Sequence, residues 1–144
     1  MARVSTYLNF PRSTEQAFVF YRSVFGGEFI GPVHRYADIP AAPGQPPMAE
    51  ADKALVMHVE LPLLGGHVLM GSDAPESLGM QVSSGNQVSI NLEPDTRAET
   101  DRLFASLSAG GKVEMALEEK FWGAYWGTLT DRFGVHWMFN CAAK

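Results

Sequence analysis

Two stretches of this chain end alike. "FYRSVFGG" at residues 20–27 and "LFASLSAGG" at residues 103–111 each place a bulky pair ahead of a serine and close on a glycine pair. Both follow a helix-start signal. Ser13 with Gln16, and Thr96 with Glu99, have capping-box spacing, in which a hydroxyl and a side chain three residues on can satisfy the first free backbone N–H groups. After Ser13, Ala17, Phe18, Phe20, Tyr21, Val24 and Phe25 recur at helical intervals until Gly26-Gly27; after Thr96, Leu103, Phe104 and Leu107 do so until Gly110-Gly111.

The flanks repeat as well. "VSTYLNF" precedes the first helix, with "ALVMHVELP" and "GGHVLMGS" after it; "QVSINLEP" precedes the second, with "KVEMALEEKF", "YWGTLTD" and "GVHWMFN" after it. All are short, rich in β-formers and bounded by turn residues. Each half therefore reads β-α-β-β-β. A supersecondary unit that occurs twice constrains the fold more than any single element does. The expectation is one α+β domain over residues 1–144, with module one at 1–80 and module two at 85–144.

Two segments fall outside the repeat. "ADIPAAPGQPPMAEAD", residues 37–52, carries four prolines and a glycine, so it is expected to hold neither a helix nor an inner strand and to form a long loop. It is a mobile surface loop, or a lid or dimer-contact arm. Residues 73–86, "DAPESLGMQVSSGN", read as a polar linker between the halves.

Charge and cysteine content narrow the partners. The formal net charge is −5, and no window forms a Lys/Arg stripe able to neutralise phosphates, so nucleic acid is not expected. No apolar run approaches the ~20 residues that span a bilayer, and no signal-peptide pattern opens the chain, so no membrane partner and a cytoplasmic location are expected. The single cysteine, Cys141, can close no intramolecular disulfide, which suits a reducing compartment. It has no adjacent basic residue to activate it.

Near the C-terminus, "DRFGVHWMFN" reads as a turn at Asp131–Gly134 followed by a strand. Val135, Trp137 and Phe139 then share one face, and His136, Met138 and Asn140 the other.

"TYLNFPRSTEQAFVFYRSVFGGEF" near the start, and W-G-x-Y followed by D-x-F-G-x-x-W in "FWGAYWGTLTDRFGVHWMFN", together with the repeated β-α-β-β-β order, resemble the PhnB-like branch of the vicinal oxygen chelate superfamily. Glyoxalase I, bleomycin-resistance proteins and extradiol dioxygenases are relatives. The resemblance spans almost the whole chain. It implies a curled, cup-like mixed sheet built from two modules, with helices outside: the glyoxalase/bleomycin resistance/dihydroxybiphenyl dioxygenase fold. It also implies a homodimer, in keeping with the edges that open sheets must hide.

In catalytic relatives four side chains hold one divalent metal. Carried across by strand pattern, those positions are Ser5 (or Thr6), His58, Gln87 and Met138. A hydroxyl, an amide and a thioether beside one imidazole make a poor divalent site, so neither a metal nor another cofactor is expected. His58 and Glu60 share a strand face and can form an acid–base pair, or a purely structural hydrogen bond. Tyr7, Asn9, Gln87, Ser89 and Met138 are expected to line the cup and bind ligand. Asn91 and Asn140 share that face.

Phe121, Trp122, Tyr125 and Trp126 of "FWGAYWG" are expected to wall the pocket, although core or dimer packing explains them equally. His67 and His136 read as surface or rim residues. Branch members sometimes bear a ubiquinone-pathway methyltransferase label, but "NFPRSTEQ" lacks the glycine-rich strand-to-helix turn of the common S-adenosylmethionine fold. The expected function is binding of a small organic molecule in the cup without the usual metal; the alternative is a metal-dependent lyase or dioxygenase.

Overall fold

The computed structural model describes residues 1–40 and 42–143, so one position of the proline-rich loop, Ala41, lies outside the described residues. The chain divides into two compact units, Met1–Ser83 and Ser84–Lys144.

In the first unit, β1 (Thr6–Phe10) leads into α1 (Thr14–Phe25), and β2 (His34–Arg35), a one-turn helix α2 (Glu50–Lys53), β3 (Val56–Pro62) and β4 (Val68–Asp73) follow. The sheet order is β1-β4-β3-β2, with β1 parallel to β4 and the other pairs antiparallel. In the second, β5 (Ile90–Leu92) precedes α3 (Arg97–Ser108), and β6 (Lys112–Glu119), β7 (Tyr125–Thr130) and β8 (His136–Cys141) complete a sheet of order β5-β8-β7-β6. The two orders are the same permutation, so the repeat read in the sequence is a repeat of topology. The class is α+β with two four-stranded mixed sheets.

Each helix covers one face of its own sheet. Thr14, Ala17, Phe18, Tyr21 and Val24 form the buried stripe of α1. Phe18 lies so close to Gly71 that a methyl group there would stand 2.5 Å from its ring. Gly71 pairs with Leu8 and Val59, which puts Leu8, Gly71, Val59 and Leu61 on the helix side. In the second unit Thr100, Leu103, Phe104 and Leu107 of α3 pack over Trp137, Phe139, Leu129 and Leu92, all buried. Cys141 is buried there too. The alternation expected for "DRFGVHWMFN" holds, with His136, Met138 and Asn140 half-buried on the opposite face.

The D-x-F-G motif is a structural device. Asp131 Oδ1 accepts from the backbone N–H of Phe133 (2.8 Å) and Val135 (3.1 Å), while Oδ2 accepts from the Trp137 indole N–H at 2.9 Å. Gly134 sits at φ 89, a left-handed conformation that favours glycine. One carboxylate thus fixes the turn, the start of β8 and the largest buried side chain of the unit.

Several local expectations are corrected. Ser13 makes no side-chain cap bond. Instead Asp73, from the end of β4, accepts from the Thr14 backbone N–H at 3.0 Å and from that of Val56 at 2.9 Å. Asp73 is therefore a buried member of the first unit and not part of a linker. Thr96 does cap α3, its hydroxyl accepting from Glu99 N–H at 3.1 Å. The segment 37–52 is not wholly loop, because Glu50–Lys53 forms one helical turn beyond the last proline. Strand β5 is shorter than expected: its partner β8 begins at His136, and Ile90 already pairs with Trp137, so residues before Ser89 have no strand to bond.

Candidate functional site

The face of the first sheet turned away from α1 carries the polar groups. Tyr7 pairs with Met70 and Met70 with Glu60, so the three stand side by side across β1, β4 and β3. Asn9 and Ser72 form the next rung, and His58 lies one rung from Glu60 on β3.

The Tyr7 hydroxyl lies 3.1 Å from His58 Nδ1, and His58 Nε2 lies 3.4 Å from Glu60 Oε2. Arg3 stands behind Glu60 at 3.7 Å. In the tautomer protonated at Nε2, that N–H faces the Glu60 carboxylate. Nδ1 is then the lone pair that accepts from the tyrosine O–H. The order Tyr7–His58–Glu60 is a directed chain of donors, with its hydroxyl end exposed and its carboxylate end half-buried.

Tyr7 also lines a shallow cleft of about 370 Å3, together with Leu8, Asn9, Ala74, Gln81, Val82 and Ser83. Tyr7, Asn9, His58 and Glu60 are thereby brought to one face. Thr6 falls on the other side, where its hydroxyl lies 2.8 Å from His67 Nε2. His67 is thus engaged within the unit.

In the second unit the face opposite α3 carries Asn91, Met138, Thr128, Trp126 and Asn140, paired rung by rung across β5, β8 and β7. Gln87 and Ser89 are exposed and lie outside β5, Gln87 in a bend. Trp122 is exposed in the turn between β6 and β7, its ring 6.2 Å from that of Trp126.

Tyr125 faces the helix instead. Its hydroxyl donates to Asp101 at 2.6 Å, and Arg97 lies over its ring at 4.8 Å. The bond to Asp101 holds the phenol proton and raises its pKa. Of these two neighbours expected to wall a pocket, Trp126 lies on the face opposite α3 and Tyr125 does not. The signal was available: Tyr125 has the parity of Leu129, an apolar residue of the same strand, whereas Trp126 shares parity with Thr128 and Thr130.

Sequence reading also missed a second chain of groups on this face. Thr130 Oγ1 lies 2.5 Å from Glu114 Oε1 and 2.7 Å from His136 Nδ1. The Thr130 hydroxyl, and then His136, hold the Glu114 carboxyl below the usual carboxylate range. Spacing could not reveal it, since Glu114 reaches Thr130 only through the pairing of β6 with β7.

The positions that hold a metal in catalytic relatives carry a poor donor set in this chain. The Ser5 hydroxyl points to the Met70 sulfur at 3.8 Å, both ring nitrogens of His58 are engaged, and Gln87 and Met138 offer only an amide and a thioether. Such a donor set does not fit a divalent ion. Among the described residues no group of three or more His, Cys, Asp or Glu converges.

Two β-α-β-β-β units, each with a helix on one face and polar side chains on the other, have the glyoxalase/bleomycin resistance fold. A glyoxalase/bleomycin resistance protein/dioxygenase family enzyme from Burkholderia phytofirmans, 20% identical, shares that fold with a TM-score of 0.62 over 95% of this chain and 97% of its own. The chain belongs to the PhnB-like family described as 3-demethylubiquinone-9 3-methyltransferase, whose model matches residues 2–139.

The protein YjdN of Escherichia coli is 31% identical over 142 residues, covering 95% of this chain and 93% of its own. Protein PA1353 from Pseudomonas aeruginosa is 34% identical with a TM-score of 0.84 over all of both chains. A Bacillus cereus structure described as a putative 3-demethylubiquinone-9 3-methyltransferase, PhnB protein, is 26% identical with a TM-score of 0.75, over 98% of this chain and all of its own.

Proposed function

We propose that the protein binds a small, neutral organic molecule on the open face of its first unit and exchanges a proton with it through Tyr7. The observation that carries this reading is the directed chain from Tyr7 through His58 to Glu60, beside the cleft that Tyr7 and Asn9 line. A ligand O–H or acidic C–H gives its proton to the Tyr7 oxygen while the Tyr7 proton passes to His58 Nδ1. The imidazolium so formed already faces the Glu60 carboxylate, which favours the charged form. Asn9 orients the molecule by hydrogen bonds, and the reaction needs no four-donor metal centre.

A thermal-shift screen of neutral metabolite-sized molecules supplies a ligand, and titration calorimetry compares variants. His58→Ala weakens binding by about 0.5–1.5 kcal/mol, the net worth of one hydrogen bond, since water can reach the exposed tyrosine hydroxyl it leaves. Tyr7→Phe does the same and stops any proton exchange. Unchanged affinity in both variants would remove the assignment.

The same reading includes a homodimer. β1 and β2 are the end strands of the first sheet, and open sheets hide such edges by pairing. Sedimentation at micromolar concentration should give a two-chain species; a clean single-chain species would refute it.

A further inference from the structure

The Glu114–Thr130–His136 chain has a direction that its chemistry fixes. Glu114 is ionised and can only accept, so the single Thr130 hydroxyl proton goes to it. The Thr130 oxygen must then accept from His136, which places the imidazole proton on Nδ1. In the neutral imidazole, Nε2 is then the nitrogen that carries the lone pair. His58 differs, because both its nitrogens are spent within the unit. The His136 side chain is 22% exposed, on the face it shares with Met138 and Asn140.

We infer that His136 is a second proton-accepting centre, one that receives the acidic O–H of a flat aromatic or enolic ligand lying along β8 and β7. The argument for a flat ligand is the surface beside it. From His136 the rungs run Thr130–His136, Thr128–Met138, Trp126–Asn140. At ~3.3 Å per residue those three rungs extend over ~13 Å. A thioether at the centre and an indole at the far end suit a planar π-system.

In the step, the ligand O–H bond breaks and its electron pair stays on oxygen as a phenolate or enolate. The proton joins the Nε2 lone pair. The imidazolium is then held by Thr130 and by the Glu114 carboxylate, 3.5 Å from Nδ1. Charge is conserved, and no other reactant is needed.

The probe is 4-nitrophenol, whose phenolate absorbs visibly and whose neutral form does not. At a pH where the free compound is largely neutral, adding the intact protein should raise phenolate absorbance to a saturable plateau. His136→Phe should abolish that rise. Glu114→Gln should keep binding but lower the plateau, and Thr130→Val, which breaks the bridge, should do likewise. 4-Nitroanisole, which has no proton to give, should bind about tenfold more weakly, as expected for loss of one charge-assisted hydrogen bond.

His58→Ala should leave the signal intact, so failure here and failure of the Tyr7 reading are separable. No saturable phenolate signal from the folded parent, or an equal signal from folded His136→Phe, would overturn the inference. A signal lost equally in His58→Ala would overturn it too, by placing the proton acceptor on the first unit.

Discussion

Replacing Asp73 by alanine tests how the first unit is closed. The carboxylate is buried, and its two oxygens take the backbone N–H groups of Thr14 and Val56, the first residues of α1 and β3. Alanine leaves two buried donors without partners at about 1–3 kcal/mol each, hence roughly 2–6 kcal/mol in all. The lost negative charge at the α1 N-terminus adds about 0.3–1 kcal/mol.

Asparagine retains one acceptor and presents an amide N–H₂ where the other stood, so Asp73→Asn should fall between parent and alanine. The control is Ser13→Ala. A working N-cap costs about 1 kcal/mol on removal. Ser13 makes no such bond, so its removal should cost under about 0.5 kcal/mol, the range of an ordinary surface change. Thr96→Ala, which deletes the bond to Glu99 N–H, should cost the full ~1 kcal/mol. Urea unfolding followed by far-ultraviolet circular dichroism gives all four values. If Ser13→Ala proves as costly as Thr96→Ala, or Asp73→Ala is neutral, the assignment of the α1 cap to Asp73 is wrong.

Three further outcomes are expected. Gly71→Ala pushes a methyl group into the Phe18 ring and should destabilise by roughly 1–3 kcal/mol, as overpacked cores do, read as a lowered urea midpoint. The Asp52 carboxyl is held below its ordinary range first by the Ser77 hydroxyl and then by Arg12, so its contribution is complete above about pH 4 and is lost as pH falls through the lowered folded value; acid unfolding should begin at higher pH in the parent than in Asp52→Asn once each is normalised to its neutral-pH stability. Protein purified without chelators should hold well under one divalent ion per chain and keep its thermal midpoint in EDTA; a stoichiometric ion lost to EDTA with a fall in midpoint would restore the metal-dependent reading.

What could be read from the chain follows from the range of the interactions involved. The stripes of α1 and α3, the alternation of β8 and the D-x-F-G turn depend on neighbours a few residues apart, and each pattern is visible in the letters. Strand β2 is two residues held only by β3, so it has no period of its own to detect. The true cap of α1 lies at Asp73, on another strand, while the local capping-box spacing at Ser13 is a coincidence of composition. Tyr7, Asn9, His58 and Glu60 were legible as one face because strand parity needs only a correct strand. The side taken by Tyr125 is legible only through parity along "YWGTLT", where Leu129 fixes the buried side.

The two units agree where packing dictates and differ where it does not. Both place a helix over positions of one parity, and there the residues are bulky and apolar in each: Leu8, Val59, Leu61 and Leu69 in the first, Leu92, Leu129, Trp137 and Phe139 in the second. A polar residue on that side would have to be buried with a partner, as Asp73 and Asp131 are. The opposite faces carry no such demand, and they differ. On the first, the proton chain runs from β1 past β4 to β3 and ends with both histidine nitrogens occupied. On the second it runs from β6 through β7 to β8 and ends with one nitrogen open. Equal topology with opposite termination gives the two faces different chemistry: one presents a tyrosine hydroxyl as its outermost group, the other an imidazole lone pair. A molecule that gives up a proton directly to nitrogen therefore distinguishes the units, which is why the response of 4-nitrophenol should follow His136 and ignore His58.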